Sequence, residues 1–218
     1  MRFLRRIINV FRNEVYIING NKVKRKFIPF IKGLKIEFDR NGNKIYIDKN
    51  TKFRKSLIHL SCHNAEIRLG NGLYSSTIIN CKCGDNQKLI IKDGFTSVGT
   101  TFQLNETNAS VEIEENCMFS NDIVFWATDG HAIFNLGDNF AYNTPKTIKI
   151  GKHVWIGNGA KLTKGAVIPN DSIVALGSVV SKDFSQESNI IIAGNPARIV
   201  KHNINWNRDK TPTNYNCV

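Results

Sequence analysis

Six aliphatic positions near the C-terminal end fall on a strict six-residue ladder: Ile150, Ile156, Leu162, Ile168, Val174 and Val180. Four residues after each come Val154, Ala160, Ala166, Ser172, Ser178 and Phe184, so every rung pairs an aliphatic residue with a mostly small one. That period is neither the 3.6 of an α-helix nor the simple alternation of an antiparallel strand. It predicts a chain wound into flat-sided coils, each aliphatic side chain pointing inward onto its equivalent in the next coil. Between about residues 57 and 125 the pattern weakens but persists. Ile67-Arg-Leu-Gly-Asn-Gly, Leu89-Ile-Ile-Lys-Asp-Gly and Val111-Glu-Ile-Glu-Glu-Asn recur at spacings of 22, and Ile113, Phe119 and Phe125 step by six. These segments predict degenerate coils of the same solenoid, each of three short strands and three turns.

The pattern divides the chain. Residues 1–55 read as irregular N-terminal strands, with short runs at Val15–Ile18, Leu34–Phe38 and Lys44–Ile47 separated by turn chemistry at Asn19-Gly20-Asn21 and Asn41-Gly42-Asn43. Residues 56–200 hold the repeat. It breaks after Trp126 and resumes at Ile148, which leaves a loop at 127–147. A loop of that length in a compact repeat domain tends to be functional, and this one contains Thr128-Asp129-Gly130-His131 followed by Phe140, Tyr142 and Asn143. A short C-terminal helix is expected to begin near Pro196, with residues 201–218 as a frayed polar tail.

Composition changes the picture in two ways. A net charge of +12 on 218 residues points to an anionic partner: an acidic polysaccharide, a polyphosphorylated cofactor, a membrane surface or nucleic acid. Lys22, Lys24, Arg25 and Lys26 form one basic run, read as a solvated face or a docking patch. No apolar run reaches the roughly 18–20 residues of a membrane-spanning helix. The basic, amphipathic start Met1–Arg12 lacks the apolar region and cleavage site of a signal peptide, so a cytoplasmic location is expected. Cys62, Cys81, Cys83, Cys117 and Cys217 are odd in number, contain no CxxC pair, and read as free thiols.

The stretch from Ile150 to Lys201, IGKHVWIGNGAKLTKGAVIPNDSIVALGSVVSKDF followed by AGNPARIVK, resembles the hexapeptide-repeat acyltransferases, and among them the bacterial sugar and polysaccharide O-acetyltransferases. The resemblance implies a mainly β chain folded as a left-handed parallel β-helix, a homotrimer with acetyl-CoA in the groove between subunits, and a carbohydrate acceptor rather than nucleic acid. It supplies a handedness that the general preference for right-handed crossovers would not. The positive charge adds an acidic acceptor, such as a sialic-acid polymer, and leaves peripheral membrane contact open.

Transfer of an acetyl group from a thioester to a hydroxyl needs a base, and histidine titrates near operating pH. Asp129-Gly130-His131 resembles the family's D-x-H element, which makes His131 the general base, with Asp129 placed to orient its imidazole or to cap a turn. Trp155 matches the family's V-W-I-G tryptophan and is expected to wall the acceptor or pantetheine channel. By position, the resemblance also assigns coenzyme A to Gly157, Asn158, Ala160, Ala175 and Ser181 through backbone amides, and its phosphates to Arg198, Lys182 and Lys201. Lys164 stands where the family often has proline, which alters the groove's charge.

No metal site is expected. His59 and His63 fall four apart on a strand, about 13 Å from one another, too far to share an ion. His153 reads as a structural corner residue. Cys117 has no basic neighbour in sequence, so direct transfer is preferred to a thiol-borne acyl group. N-acetylation of a nucleotide amino sugar, and a non-catalytic polyanion-binding solenoid, are the competing functions.

Overall fold

A computed structural model describes residues 12–26 and 30–209. The start of the basic amphipathic segment, residues 1–11, and the end of the tail with Cys217 lie outside the described residues. The chain forms a three-sided prism of parallel sheets. The first sheet stacks Glu14–Asn19, Lys44–Asp48, Glu66–Leu69, Lys88–Ile91, Ser110–Ile113, Ile148–Ile150 and Val167–Ile168, one strand from each coil. The second runs from Lys52–Arg54 through Gly72–Ser75, Phe95–Ser97, Met118–Phe119 and Trp155–Ile156 to Ile173–Val174. The third runs from Leu34–Phe38 through Ser56–Leu60, Thr77–Cys81, Thr100–Gln103, Ile123–Trp126 and Lys161–Thr163 to Val179–Val180.

The hexad ladder forms as expected. Ile150, Ile156, Leu162, Ile168, Val174 and Val180 are all buried, as are the small residues four places on. Ile150 pairs with Ile168 and Ile156 with Val174, so each rung stacks on its equivalent three hexads later. Each such aliphatic side chain contributes about 1.5–3 kcal/mol by leaving water. The upstream coils are longer: Ile45 stacks on Ile67, Ile67 on Leu89 and Leu89 on Val111. Their extra circumference encloses a wider core filled by rings. Phe53, Tyr74, Phe95 and Phe119 pack in sequence at centroid distances of 5.3, 4.9 and 4.9 Å, the last pair edge to face, and Phe125 packs on both Phe102 and Phe119.

Three expectations change. Glu14–Asn19, Leu34–Phe38, Lys44–Asp48 and Lys52–Arg54 take places in the same parallel sheets instead of standing apart as irregular strands, and Lys22–Lys26 adds an antiparallel edge to the first. Their first coil is longer again, running from Val15 round to its partner Ile45, and this hides the repeat. The short helix expected near Pro196 does not form; Ile191–Gly194 and Ala197–Lys201 make an antiparallel hairpin that closes the second sheet. The β-branched Ile190, Ile191, Ile192, Ile199 and Val200 favour that outcome. The tail is docked as far as residue 209. The Trp206 indole N–H donates to the His153 carbonyl at 2.9 Å, its ring stacks on His153 at 4.2 Å, and Arg208 donates to the carbonyls of Gly94, Asn116 and Cys117. Residues 202–209 therefore run back over the second sheet.

Candidate active site

The loop 127–147 leaves the prism at the edge between the third and first sheets, after Ile123–Trp126 and before Ile148–Ile150. Below it, the same edge is turned by Asn64, Asn86 and Asn108, each with φ between 58 and 61°. Asparagine tolerates this left-handed conformation better than most side chains. Where the next asparagine would stand, the chain departs into the loop.

A lysine from the coil above pins the loop. Lys164 turns the edge after Lys161–Thr163; its side chain is 7 % exposed and its ammonium lies 2.5 Å from Asp129 Oδ2 and 3.8 Å from Glu106 Oε2. It also donates to the Asn143 carbonyl at 2.6 Å. Asn143 closes the arrangement: its Nδ2 donates to Asp129 Oδ2 and to the His131 carbonyl, both at 2.9 Å, and its Oδ1 accepts from the Ile133 amide at 2.8 Å. The Lys164 ammonium, with Asn143 behind it, holds the Asp129 carboxyl below the usual carboxylate range. Asp129 is thus an anion at any working pH, and it fixes the loop rather than the imidazole.

His131 is exposed and lines a cavity of about 320 Å³ with Glu106, Thr128, Asn143 and Pro145. The backbone of His131 is anchored through Asn143, while its ring has no hydrogen-bond partner among the described residues. An imidazole so placed can accept a proton from a hydroxyl entering the cavity. Glu106 and the pinning role of Lys164 escape a reading of the sequence alone. The constant register of the wide coils is the available signal, since it stacks Asn105 and Glu106 directly beneath the start of the loop.

The other expected residues separate into two groups. Trp155 stands on the second sheet, 37 % exposed and 6.1 Å from the Trp206 ring, so within one chain it belongs to a different face from His131. Ala160 is fully buried, which makes its side chain a core residue rather than a cofactor contact. The amides of Gly157, Ala160 and Ala175 already donate to Val174, Gly157 and Ile192, because parallel coils consume such groups in the ladder. Asn158 and Ser181 are exposed, as are Lys182, Arg198 and Lys201. Lys182 lies over the Phe184 ring at 5.1 Å, and Arg198 donates only to the Ala197 carbonyl among the described residues.

Glycines at the same corner that carries Asn158 and Ala160 leave room for a long cofactor. Gly159 and Gly177, with φ of 72 and 66°, stack at the corner between the second and third sheets, and a side chain on Gly177 would meet nothing within 4 Å. This strip of bare backbone is flanked by Asn158 and the exposed Leu176, with Arg198 beyond in the closing hairpin. An extended thioester carrier with phosphates at one end suits such a strip and such a cation.

His59, His63 and His153 are committed to hydrogen bonds within the prism. His59 and Ser61 both hydrogen-bond to Asp39, His63 bonds to Asn41, and His153 bonds to Asp171 from a φ of 52°. No cluster among the described residues could hold a metal ion. Burial pushes the Cys117 thiol up to about 12, so it is not a nucleophile.

The architecture is a three-sided parallel solenoid with a histidine-bearing loop thrown out from one edge. No protein-family profile matches the chain. It is 32 % identical over 173 residues to the polysialic acid O-acetyltransferase of Neisseria meningitidis, a match that covers 77 % of each chain. It is 34 % identical over 113 residues to the polysialic acid O-acetyltransferase of Escherichia coli O1:K1, spanning 52 % of this chain but only 36 % of that relative's length. The crystal structure of the polySia-specific acetyltransferase NeuO superposes over 84 % of this chain and 93 % of that one, with a TM-score of 0.57 at 24 % identity. The chain belongs to the hexapeptide-repeat family of left-handed β-helix acetyltransferases.

Proposed function

We propose that this protein is an acetyl-CoA-dependent O-acetyltransferase that esterifies a hydroxyl of a bacterial surface polysaccharide or its sugar precursor, with an acidic polymer as the favoured acceptor. The observation that carries this reading is the His131 imidazole, uncommitted to any partner among the described residues and lining a cavity at the loop edge. The relatives' activities support the reaction class, and the net charge of +12 favours the anionic acceptor.

Coenzyme A, when bound, supplies an activated acetyl thioester. The chain's own residues do the rest. His131 takes the proton of the acceptor hydroxyl as its oxygen attacks the acetyl carbon, and would return it to the departing sulfur as the carbon–sulfur bond breaks, so that an ester and a free thiol leave. Asp129 stays ionised, and with Lys164 and Asn143 it holds the His131 backbone in place, which lowers the entropy of bringing base and hydroxyl together. Arg198 and Lys201 in the closing hairpin would bind the cofactor's phosphates and Asn158 its arm, while Ser181 and Lys182, one coil beyond Thr163 and Lys164, would reach it from the loop edge of a neighbouring copy. Cys117 takes no part, so transfer is direct.

The glycine strip and the His131 loop occupy different edges of one chain. The third-sheet strand between Gly159 and Lys164 separates the two edges, about 17 Å at 3.3 Å per residue. A second copy that sets its glycine edge, and Trp155, against this chain's loop brings donor and base together. That is the reason to propose a homotrimer, working in the cytoplasm beside polymer synthesis. Transfer from labelled acetyl-CoA to a panel of sialic-acid, uronic-acid and neutral glycans tests the proposal. An alkali-labile product marks an ester, a stable one the N-acetylation reading, and no acceptor-dependent transfer a non-catalytic solenoid.

A further inference from the structure

The net charge lies in the first quarter of the sequence. Residues 1–55 hold sixteen Lys and Arg against four Asp and Glu, which accounts for the whole of the +12, while residues 56–218 hold fourteen of each. In the later coils four cations are ion-paired, Arg68 with Glu66, Lys92 with Glu114, Lys152 with Glu115 and Lys164 with Asp129, and carboxylates match cations in number. In the first two coils Lys32, Lys52, Arg54 and Lys55 are exposed and have no ion pair among the described residues. They share one edge. Gly33 packs on the carbonyl of Phe53 and the amide of Arg54, and the Ser56 amide donates to the Gly33 carbonyl at 2.9 Å, so Lys32 sits against the Lys52–Lys55 turn.

The third sheet connects this edge to the active-site loop. Its register stacks Glu37, His59, Asn80, Gln103 and Trp126 in one outward column and Lys35, Leu57, Ile78, Thr101 and Val124 in the next. Glu37 is the only carboxylate in either column, and Lys35 pairs with it at 2.7 Å. The column reaches Trp126, 47 % exposed, immediately before the loop, and continues above it with Thr163. On the first sheet the outward cations stand in register with carboxylates, Lys44 and Lys88 with Glu66, and Arg68 and Lys149 with Glu112, and residues 202–209 lie over part of the second.

Resting on the polysaccharide reading above, we propose that Lys32, Lys52, Arg54 and Lys55 dock the anionic chain of a polymeric acceptor, which then runs along the third sheet to His131. From the first coil to the fifth is four strand spacings, about 19 Å along the prism axis. Several linked sugars reach that far and a short oligosaccharide does not. The surface therefore sets a preference for long acceptors, with Trp126 as a stacking platform near the reacting sugar.

The test uses the full-length protein, fluorescent polysialic acid of tens of residues, the sialic-acid trimer, and a variant carrying Lys32→Glu, Lys52→Glu, Arg54→Glu and Lys55→Glu. The wild type is expected to bind the long chain at least about tenfold more tightly than the trimer, with an advantage that shrinks as salt rises. The variant is expected to lose that advantage while kcat on the trimer is unchanged; the corresponding Gln variant should lie between. Equal binding of long and short chains, or a long-chain advantage that survives in both variants, overturns the proposal. So does loss of phosphatidylglycerol-vesicle binding with polymer binding intact, which would assign the surface to a membrane. Binding is read without catalysis, so a wild type that binds the polymer through these cations yet acetylates nothing refutes the activity and leaves the docking surface standing.

Discussion

The wide coils between residues 44 and 126 and the narrow coils beyond residue 148 solve one packing problem with different side chains. A wide coil, such as the one from Ile67 round to Leu89, surrounds space that aliphatic chains do not fill. Rings occupy it: Tyr74, Phe95, Phe102, Phe119 and Phe125 are all fully buried. A narrow coil, such as the one from Ile156 round to Val174, leaves a slim interior. Ala160, Ala166, Ser172 and Ser178 complete it around Ile156, Leu162 and Val174. Strands shorten accordingly, from five residues in Ser56–Leu60 to two in Val179–Val180. Coil length and core volume are thus one variable. The loop that carries His131 leaves where the prism changes gauge, and Lys164, from the first narrow coil, fastens it.

The largest effect expected from breaking this match is in the last wide coil. Phe119→Ala removes a ring packed on both Phe95 and Phe125 and should lower unfolding stability by about 3–5 kcal/mol, read as a shift in denaturant midpoint. The reciprocal change, Ala166→Phe, forces a ring into a narrow coil with no room for it. Overpacking should cost about 1–3 kcal/mol, whereas equal tolerance of both exchanges would show that coil length does not set core volume. Lys164→Met keeps the stem of the side chain but releases Asp129, and should reduce kcat/KM roughly 10- to 100-fold with far less change in stability. A circular-dichroism melt measured beside the assay separates the two.

The Asp129 pin also has a defined pH range. Its carboxyl is held low, so its contribution is present in full above the ordinary aspartate value of about 3.9 and is lost only as pH falls below that toward the lowered value. Loop anchoring should be constant from about pH 5 to 9, and any titration of activity there belongs to the base.

The narrow coils are legible in sequence because each holds three whole hexads, so every rung falls on the same count. The wide coils are half legible: their extra residues break the six-residue step but leave a constant interval from Ile67 to Leu89 and from Leu89 to Val111. The first coil is not legible, since the interval from Val15 to Ile45 matches neither. The loop shows itself as a gap in the repeat, and His131 by its place within that gap. What holds the loop is invisible in sequence, because Glu106, Asp129 and Lys164 meet only when their successive coils stack. The hairpin at residues 191–201 reads as a helix start because proline serves a turn as readily.

Substitution of His131 is the most direct test of the central claim. With wild-type protein shown to transfer labelled acetyl groups from acetyl-CoA to a polysialic acid acceptor, His131→Ala should fold with the same melting temperature, bind acceptor equally well, and lose about 10²–10⁴ in kcat, the range a general base contributes. Transfer by the variant within about threefold of wild type, a change too small for the loss of a general base, would contradict the account.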